Sequence, residues 1–227
     1  MFATISHKKT VFEVDLSKPL DISIPLKAGK NNVNAWYAEP IRIEPVRTGN
    51  FIGEVKAGGS VNFRTVFFNP HGNGTHTENV GHITPEHISI NQTLKHFFFV
   101  ARVVSIEPEM LGNGDRMITA EQIAALKLNV STTLFTEALV IRTLPNTLGK
   151  ITFQYSGSNP AFLEAEAAAC IRNSGIEHLL LDLPSVDREH DGGRLAAHKA
   201  FWEYPANTQI HRTITEMVYV PDDVHDG

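Results

Sequence analysis

The hydrophobic pattern of the chain predicts several strands in its first two thirds. Residues 61–68 (VNFRTVFF) are rich in β-branched and aromatic side chains and stop at Asn69-Pro70, as a strand does before a turn. Residues 97–106 (FFFVARVVSI) and residues 138–143 (ALVIRT) have the same character. We therefore predict three strands at these places.

Two short stretches predict helices instead. Thr119 is a suitable N-cap and Gln122 stands where its capping-box partner belongs, so a helix is expected to begin there and to run through Leu128. Residues 196–202 predict a second short helix, which Pro205 would end.

The longest predicted helix covers residues 160–174. Asn159 can cap it, Pro160 suits its first turn, and Gly175 suits the position just after its end. Its alanine-rich middle has high helix propensity and permits close packing. The apolar run at residues 178–183 (HLLLDL) follows after a short loop and predicts a buried strand.

The order of these elements predicts the fold class. Residues 138–183 contain a strand, a helix and a second strand, which together make a right-handed βαβ unit. Residues 213–220 alternate in polarity and predict a late strand. Because no repeat, low-complexity tract or linker divides the chain, we expect residues 1–227 to form a single α/β domain with a mixed sheet and flanking helices.

Composition narrows the class of protein. Apolar residues make up 42% of the chain and charged residues 20%, a balance that suits a globular core. The net charge of −5, without any basic block, argues against nucleic acid or an anionic membrane as a partner. Residues 1–9 lack the apolar core of a signal peptide, and the apolar run at 97–104 is too short to span a bilayer. With Cys170 as its only cysteine, the protein is expected to be cytoplasmic.

Histidines concentrate in one segment, residues 69–82 (NPHGNGTHTENVGH). The residues Gly72-Asn73-Gly74 predict a tight turn, because each of them tolerates a positive φ. In an extended chain after that turn, His76 and Glu78 would project to the same side, where His71 could join them. Two imidazoles and a carboxylate suit Zn²⁺ or another first-row divalent ion. A polar surface loop with scattered histidines is the alternative, which spacing alone does not exclude.

The same segment resembles the signature of the kynurenine formamidase-like cyclase family, His-x-Gly-Thr-His-x-Asp-x-Pro-x-His. Gly74-Thr75-His76 matches that signature directly, and His82 stands at its final histidine. Three departures accompany the match: Glu78 replaces the Asp, Val80 replaces the Pro, and one extra residue separates His71 from Gly74. A glutamate keeps the carboxylate but is longer by one methylene.

The resemblance extends over most of the chain. Residues 180–187 (LLDLPSVD), followed by residues 196–199 (AAHK), are similar to a late Asp-Thr-Pro-Ser-Val-Asp stretch of the family and the histidine after it. Residues 15–20 (DLSKPL), residues 141–143 (IRT) and the predicted helix from Pro160 stand in the family's order. The resemblance implies a fold of the swivelling β/β/α type.

The resemblance also implies a set of metal ligands. His71, His76 and Glu78 would bind one divalent ion, Zn²⁺ or Mn²⁺. Glu78, His198 and a late glutamate, which we place at Glu216, would bind a second ion where two are present per chain. The alternatives are a core histidine for His198 and a solvated strand residue for Glu216.

Two further residues receive roles outside the ligand set. His82 occupies the family's acid/base position, and a histidine suits that role because its ordinary pKa of about 6.5 lies close to working pH. Trp36 lies in an early loop, where the family often supplies aromatic residues to the substrate pocket, although a core or surface role is the alternative.

The implied activity is hydrolysis of a small amide or formamide, including a cyclic one, by metal-activated water. The protein would then be an amidohydrolase that acts on C–N bonds other than peptide bonds. A metal-dependent dehydratase or cyclase is one alternative. A non-catalytic small-molecule binding protein is another, which the changes at Glu78 and Val80 keep open and the retention of His82 opposes.

The family further implies a homo-oligomer, either a dimer or a tetramer, with a small molecule as the other partner. The family usually finishes with a strand after the late glutamate, and this chain stops near where that strand should begin. Two interpretations are open: the domain lacks the final strand, or the fold closes differently.

Overall fold

A mixed five-stranded sheet organises the fold. The structure is a computed structural model that describes residues 1–8, 10–129 and 135–227. Its strands are β1 (Phe2–His7), β2 (Thr10–Asp15), β3 (Arg42–Pro45), β4 (Arg47–Thr48), β5 (Phe51–Ile52), β6 (Arg64–Phe67), β7 (His76–Glu78), β8 (Ala101–Ile106), β9 (Glu109–Met110), β10 (Arg116–Ile118), β11 (Ala138–Thr143), β12 (Phe162–Leu163), β13 (His178–Leu181) and β14 (Thr213–Glu216). Its α-helices are α1 (Pro70–Asn73), α2 (Ile90–Thr93), α3 (Ala120–Ala125), α4 (Ala165–Asn173) and α5 (Ala196–Trp202).

The central sheet has the strand order β7-β14-β13-β11-β8. Strands β8, β11, β13 and β14 run parallel, and β7 lies antiparallel to β14 at one edge. Every residue of β11 and β14 is buried, as expected for parallel strands that are covered on both faces. The described residues also form the short sheets β1-β2, β12-β10-β9, β3-β6 and β4-β5.

The main core lies between the central sheet and helices α3, α4 and α5. Fully buried side chains from the strands, such as Leu139 and Leu179, meet Ile171 of α4 and the aromatic pair Phe201 and Trp202 of α5. Small residues on α4 allow α5 to pack against it, as the alanine-rich sequence predicted. α5 is thereby held against the sheet, which matters because it carries His198.

Several local predictions are confirmed. Strand β11 and helix α5 have the predicted bounds. Strands β11 and β13, which precede and follow α4 along the chain, pair in parallel. The capping box is present, since the Thr119 hydroxyl accepts from the Gln122 backbone and the Gln122 side chain accepts from the Thr119 backbone. That helix ends at Ala125, however, before the predicted Leu128. The predicted α/β domain with a mixed sheet is what the structure shows.

The prediction of a helix from Pro160 was wrong at its start. Phe162–Leu163 forms strand β12 beside β10, and α4 begins only after Glu164. The Leu163 amide donates to Val186 and the Glu164 amide to Ile118, so these groups are committed to other segments. The end of the helix agrees with the prediction, because Gly175 follows it at φ +84°.

The predicted strands were too long where tertiary contacts end them. The structure shortens 61–68 to β6, 97–106 to β8, 178–183 to β13 and 213–220 to β14. β14, for example, stops because Met217 has a φ of +52° and donates its amide to Leu183. The hairpin of β1 and β2 was not predicted. None of the helices in the described part of the chain has the length and apolarity needed to cross a bilayer.

Candidate metal centre

A helical turn places the first histidine. The Asn69 side chain caps α1 by accepting from the His71 amide at 3.0 Å. Buried Asn73 closes the turn: its Oδ1 accepts from the Asn69 amide at 2.7 Å and its Nδ2 donates to the Glu39 carbonyl at 3.2 Å. This turn accommodates the extra residue between His71 and Gly74.

The tight turn predicted at residues 72–74 is present as part of this helical turn, but it does not use the positive φ from which it was predicted. None of the three residues has a left-handed backbone, and Gly74 is extended at φ 173°. Gly72 and Gly74 instead allow neighbouring side chains to pack close to the backbone. A Cβ on Gly72 would lie 2.5 Å from the Ala38 Cβ, and one on Gly74 would lie 2.6 Å from Leu26 Cδ2.

Strand β7 presents His76 and Glu78 to one side of the sheet edge, as the alternation predicts. His76 Nδ1 lies 3.0 Å from the Gly74 carbonyl, and a carbonyl can only accept. Nδ1 therefore carries the proton, and Nε2 keeps a lone pair that faces inward. Antiparallel pairing sets Glu216 of β14 opposite His76, with Glu216 Oε2 at 3.5 Å from His76 Nε2.

Helix α5 contributes His198, and Asp187 orients it. Asp187 Oδ2 lies 2.5 Å from His198 Nδ1, and the carboxylate also accepts from the amides of Ala197 and His198. With Nδ1 engaged, His198 Nε2 points at Glu78 Oε1, 3.1 Å away, and lies 3.8 Å from Glu216 Oε1. Orientation of a histidine by a carboxylate on its other nitrogen is common in metal sites.

Glu78 stands at the centre of the group. Its Oε1 faces His198, and its Oε2 lies 3.1 Å from His71 Nδ1 and 3.5 Å from His82 Nδ1. The carboxylate is buried while His71 is partly exposed, so the group opens toward solvent on the His71 side. We refer to these six residues as the His/Glu cluster: His71, His76, Glu78, His82, His198 and Glu216.

His82 reaches the His/Glu cluster from the short 3-10 turn Val80–His82. The Asn79 side chain caps this turn by accepting from the Gly81 amide at 2.9 Å. The His82 ring stacks on His71 with centroids 4.4 Å apart, and 34% of its side chain is exposed. It is therefore placed both beside the cluster and at the edge of solvent.

Burial and opposite charges set the ionisation of the carboxylates. Burial by itself would raise the pKa of Glu78, but the nitrogens of His198 and His71 outweigh it and lower that pKa to about 2. For Glu216, burial and the nearby charge of Glu78 act together and raise the pKa well above its ordinary value. Without a bound cation, one carboxylate is thus charged and the other retains its proton.

The histidines of the His/Glu cluster also differ in charge. Burial opposes the charge of His198, but Asp187 and Glu78 raise its pKa to about 10. Burial lowers the pKa of His76 and of His82. At neutral pH His198 is therefore protonated, while His76 and His82 are neutral.

The residues fit a divalent cation. Ligand atoms of His71, His76 and Glu78 lie within 4.8 Å of one another, as do those of Glu78, His82 and His198. His76 Nε2 and Glu78 Oε2 are buried, and neither makes a hydrogen bond of good geometry within the described part of the chain. A bound cation would satisfy both atoms, which burial otherwise makes costly.

The grouping differs in one respect from the set that the family resemblance implies. The second tight group contains His82, to which the sequence assigns acid/base chemistry, in place of Glu216. Glu216 is nevertheless adjacent, within 4 Å of both His76 and His198. The geometry therefore leaves two roles open for His82, and metal content in a His82 variant distinguishes them.

A cavity of about 330 Å³ opens beside the His/Glu cluster. Trp36, the predicted substrate-binding residue, lies on its wall with a φ of +58°, a conformation that a bulky residue keeps only when its surroundings hold it there. Arg188 and Glu189 also line the cavity and were missed by the sequence analysis. Their position directly after the motif that ends at Asp187 is the signal that could have found them.

Comparisons with known proteins agree with this fold. The model of the family Cyclase, described as "Putative cyclase", matches residues 14–188. The fold is similar to that of a "predicted metal-dependent hydrolase" from Bacillus stearothermophilus, with a TM-score of 0.56 and 15% identity over 92% of this chain and 85% of that one. A comparison with curated protein sequences finds no match.

Two isatin hydrolases have similar folds. One, bound to the product analogue thioisatinate, has a TM-score of 0.60 and 13% identity over 92% of this chain and 82% of that one. The other, isatin hydrolase A from Labrenzia aggregata, has a TM-score of 0.52 and 14% identity over 100% of this chain and 83% of that one. At these identities the likeness shows a shared fold alone.

Proposed function

The chain belongs to the Cyclase family, and from this premise we propose that it is a metal-dependent hydrolase that cleaves the C–N bond of a small amide or formamide. The observation that carries the proposal is the pair of buried atoms His76 Nε2 and Glu78 Oε2, which lack hydrogen bonds of good geometry in the described part of the chain. They lie among further nitrogen and oxygen donors that suit a divalent ion.

The proposed ligands of a first ion are His71, His76 and Glu78, and those of a second ion are Glu78, His198 and Glu216. The ion would be Zn²⁺ or Mn²⁺, one or two per chain, because imidazole and carboxylate ligands serve both metals. Its chemical contribution when bound is Lewis acidity, which lowers the pKa of water and polarises a carbonyl oxygen.

His82 is the proposed general base and acid. Its lowered pKa keeps the imidazole neutral at pH 7, so that it can accept a proton from the attacking water. Its partial exposure allows a substrate in the cavity to reach it. The protonated His82 imidazole can then donate that proton to the nitrogen atom that leaves the substrate. The reaction consumes one water and forms a carboxylic acid and an amine.

Asp187 would position a metal ligand, and Trp36 would position the substrate. Asp187 holds His198 by its Nδ1 and so aims its Nε2 at Glu78. Trp36 offers an aromatic surface on the cavity wall, which suits a flat substrate. The isatin hydrolases of similar fold support a cyclic aromatic amide as one substrate class for this chain, since isatin is such an amide.

Metal removal and reloading test the proposal. Protein stripped with a chelator should not hydrolyse formanilide or isatin, and reloading with Zn²⁺ or Mn²⁺ should restore turnover. Product analysis separates the alternatives, because hydrolysis adds one water and releases an acid, whereas dehydration removes water. Fully metallated protein that turns over no amide, formamide or hydroxylated cyclisation substrate would favour a binding protein instead.

Metal binding should release protons. His198, with a pKa of about 10, must lose its proton to become a ligand, and Glu216, whose pKa is also raised, must do the same. Affinity for Zn²⁺ should therefore rise between pH 6 and pH 8, by about tenfold per pH unit for each proton released. Calorimetry in buffers of different ionisation enthalpy measures the number of protons that metal binding releases. If no proton is released, His198 is not a ligand.

A further inference from the structure

Arg188 brings a positive charge to the wall of the 330 Å³ cavity beside the His/Glu cluster. Among the described residues that line this cavity, it is the only lysine or arginine. An arginine keeps its charge throughout the working pH range of an enzyme, so this side chain offers the cavity a permanent positive group. The proposed hydrolysis at the metal does not use this group. The carboxylates on the same wall belong to Asp187, Glu189, Asp191 and Glu216.

An ion pair with a buried carboxylate holds one edge of the Arg188 guanidinium. Arg188 Nε donates to Asp115 Oδ2 at 2.9 Å. Asp115 is itself fixed, because it is buried and accepts from the side chains of Asn113 at 2.9 Å and Asn159 at 3.0 Å. Arg188 Nη1 donates to the His190 carbonyl at 2.7 Å. The guanidinium is therefore positioned before a ligand enters the cavity, which lowers the entropic cost of binding.

These contacts leave part of the guanidinium free. Of its five N–H groups, Asp115 and His190 accept from one each, which leaves one N–H on Nη1 and both on Nη2. No residue in the described part of the chain accepts from Nη2. The ion pair with Asp115 thus uses one edge of the planar fork, and the other N–H groups remain available to a ligand in the cavity.

We propose that Arg188 is a specificity-determining residue that binds a carboxylate on the substrate. The preferred substrate would then be an aromatic amide or formamide that carries a carboxylate apart from the bond that is cleaved. The proposal rests on the proposed function, since it narrows the substrate class of the same site.

The choice of a carboxylate follows from the shape and charge of the cavity wall. The planar guanidinium matches a carboxylate, which can accept two parallel N–H groups. A single arginine among several carboxylates suits one negative charge better than the charge of about −2 that a phosphate group carries. Trp36 lies on the same wall and offers its face to the aromatic ring of such a substrate.

A structural role is the competing explanation for Arg188, since its ion pair with Asp115 also anchors the segment that contains it. Loss of an anchor alone would slow the hydrolysis of charged and neutral amides by the same factor. Loss of a contact with an anion would slow the hydrolysis of the charged amide more. Arg194 provides the matched control, because it is an exposed arginine of the same segment and lines a second cavity of about 310 Å³.

The test is the ratio of kcat/KM for the three isomers of formamidobenzoate to kcat/KM for formanilide, measured on metal-loaded protein. For the isomer that wild type prefers, Arg188→Gln should lower this ratio about tenfold, the lower end for hydrogen bonds between charged groups, because Arg188 is 36% exposed. Arg188→Lys keeps the charge without the planar fork and should recover part of the ratio. Arg194→Gln should leave the ratio unchanged, and so should Asp115→Asn, which retains the guanidinium.

An affinity measurement decides on Arg188 even if the protein hydrolyses none of these compounds, an outcome that would contradict the proposed function itself. Calorimetric titration of benzoate and of neutral benzamide compares wild type with Arg188→Gln at equal metal content. Any contact of benzoate with a metal is common to both proteins, so a loss of about tenfold confined to benzoate belongs to Arg188.

Two results would overturn the role of Arg188 in substrate selection. The first is an unchanged ratio in Arg188→Gln or, where no compound is hydrolysed, an unchanged affinity for benzoate. The second is a fall of equal size in Arg194→Gln or in Asp115→Asn, which would assign the effect to the overall charge of the segment or to its anchor.

Discussion

Glu78→Gln should abolish tight metal binding and, with it, hydrolysis. Glu78 is the residue shared by both groups of potential ligands, and its carboxylate faces His71, His82 and His198. Glutamine keeps the shape of the side chain but removes its negative charge and leaves a weaker, neutral amide oxygen as the ligand. Because loss of an outer-shell partner alone weakens metal binding 10- to 100-fold, we expect a loss of at least about 100-fold here.

Metal content of protein purified without added metal, together with calorimetric titration of Zn²⁺, measures this effect. Glu189→Gln is the matched control, since Glu189 is a carboxylate on the wall of the same cavity outside the His/Glu cluster. The control should keep its metal. Full metal content in Glu78→Gln would show that the ion, if any, binds elsewhere.

His82→Ala should keep its metal and lose most of its activity. General acid–base catalysis contributes about 10²- to 10⁴-fold, so the rate on whichever amide the wild type cleaves should fall by that factor. The pH dependence of the rate should test the same assignment. Because burial lowers the pKa of His82, the base is neutral at pH 7, and activity that depends on it should be lost as the pH falls through that pKa.

The His82→Ala variant also tests whether His82 is a metal ligand. His82 Nδ1 lies 3.5 Å from Glu78 Oε2, close enough for His82 to join a metal site. If His82→Ala loses metal together with activity, as His71→Ala should, His82 is a ligand and the acid/base assignment is wrong. His87→Ala, an exposed histidine that matches no motif position, is the control and should retain both metal and rate.

Much of the candidate site follows from local sequence. The period of two along an extended chain was enough to put His76 and Glu78 on one side, since it depends only on backbone geometry. The capping box at Thr119 and the bounds of α5 are likewise local, because a helix end is decided by groups within a few residues. The family resemblance ordered these pieces but did not show which atoms meet.

The tertiary structure decided everything that joins distant segments. Glu216 faces His76 only because β7 pairs with β14 in one register, and Asp187 reaches His198 only because the loop after β13 meets the N-terminal end of α5. α4 starts at Ala165 because β12 takes the preceding residues into a sheet. Side-chain periodicity is encoded within a few residues, whereas strand order and register depend on how the whole core packs. The sequence by itself therefore determined where several of the main elements lie and which residue types could bind a metal. The tertiary structure determined where those elements end and which of their side chains meet.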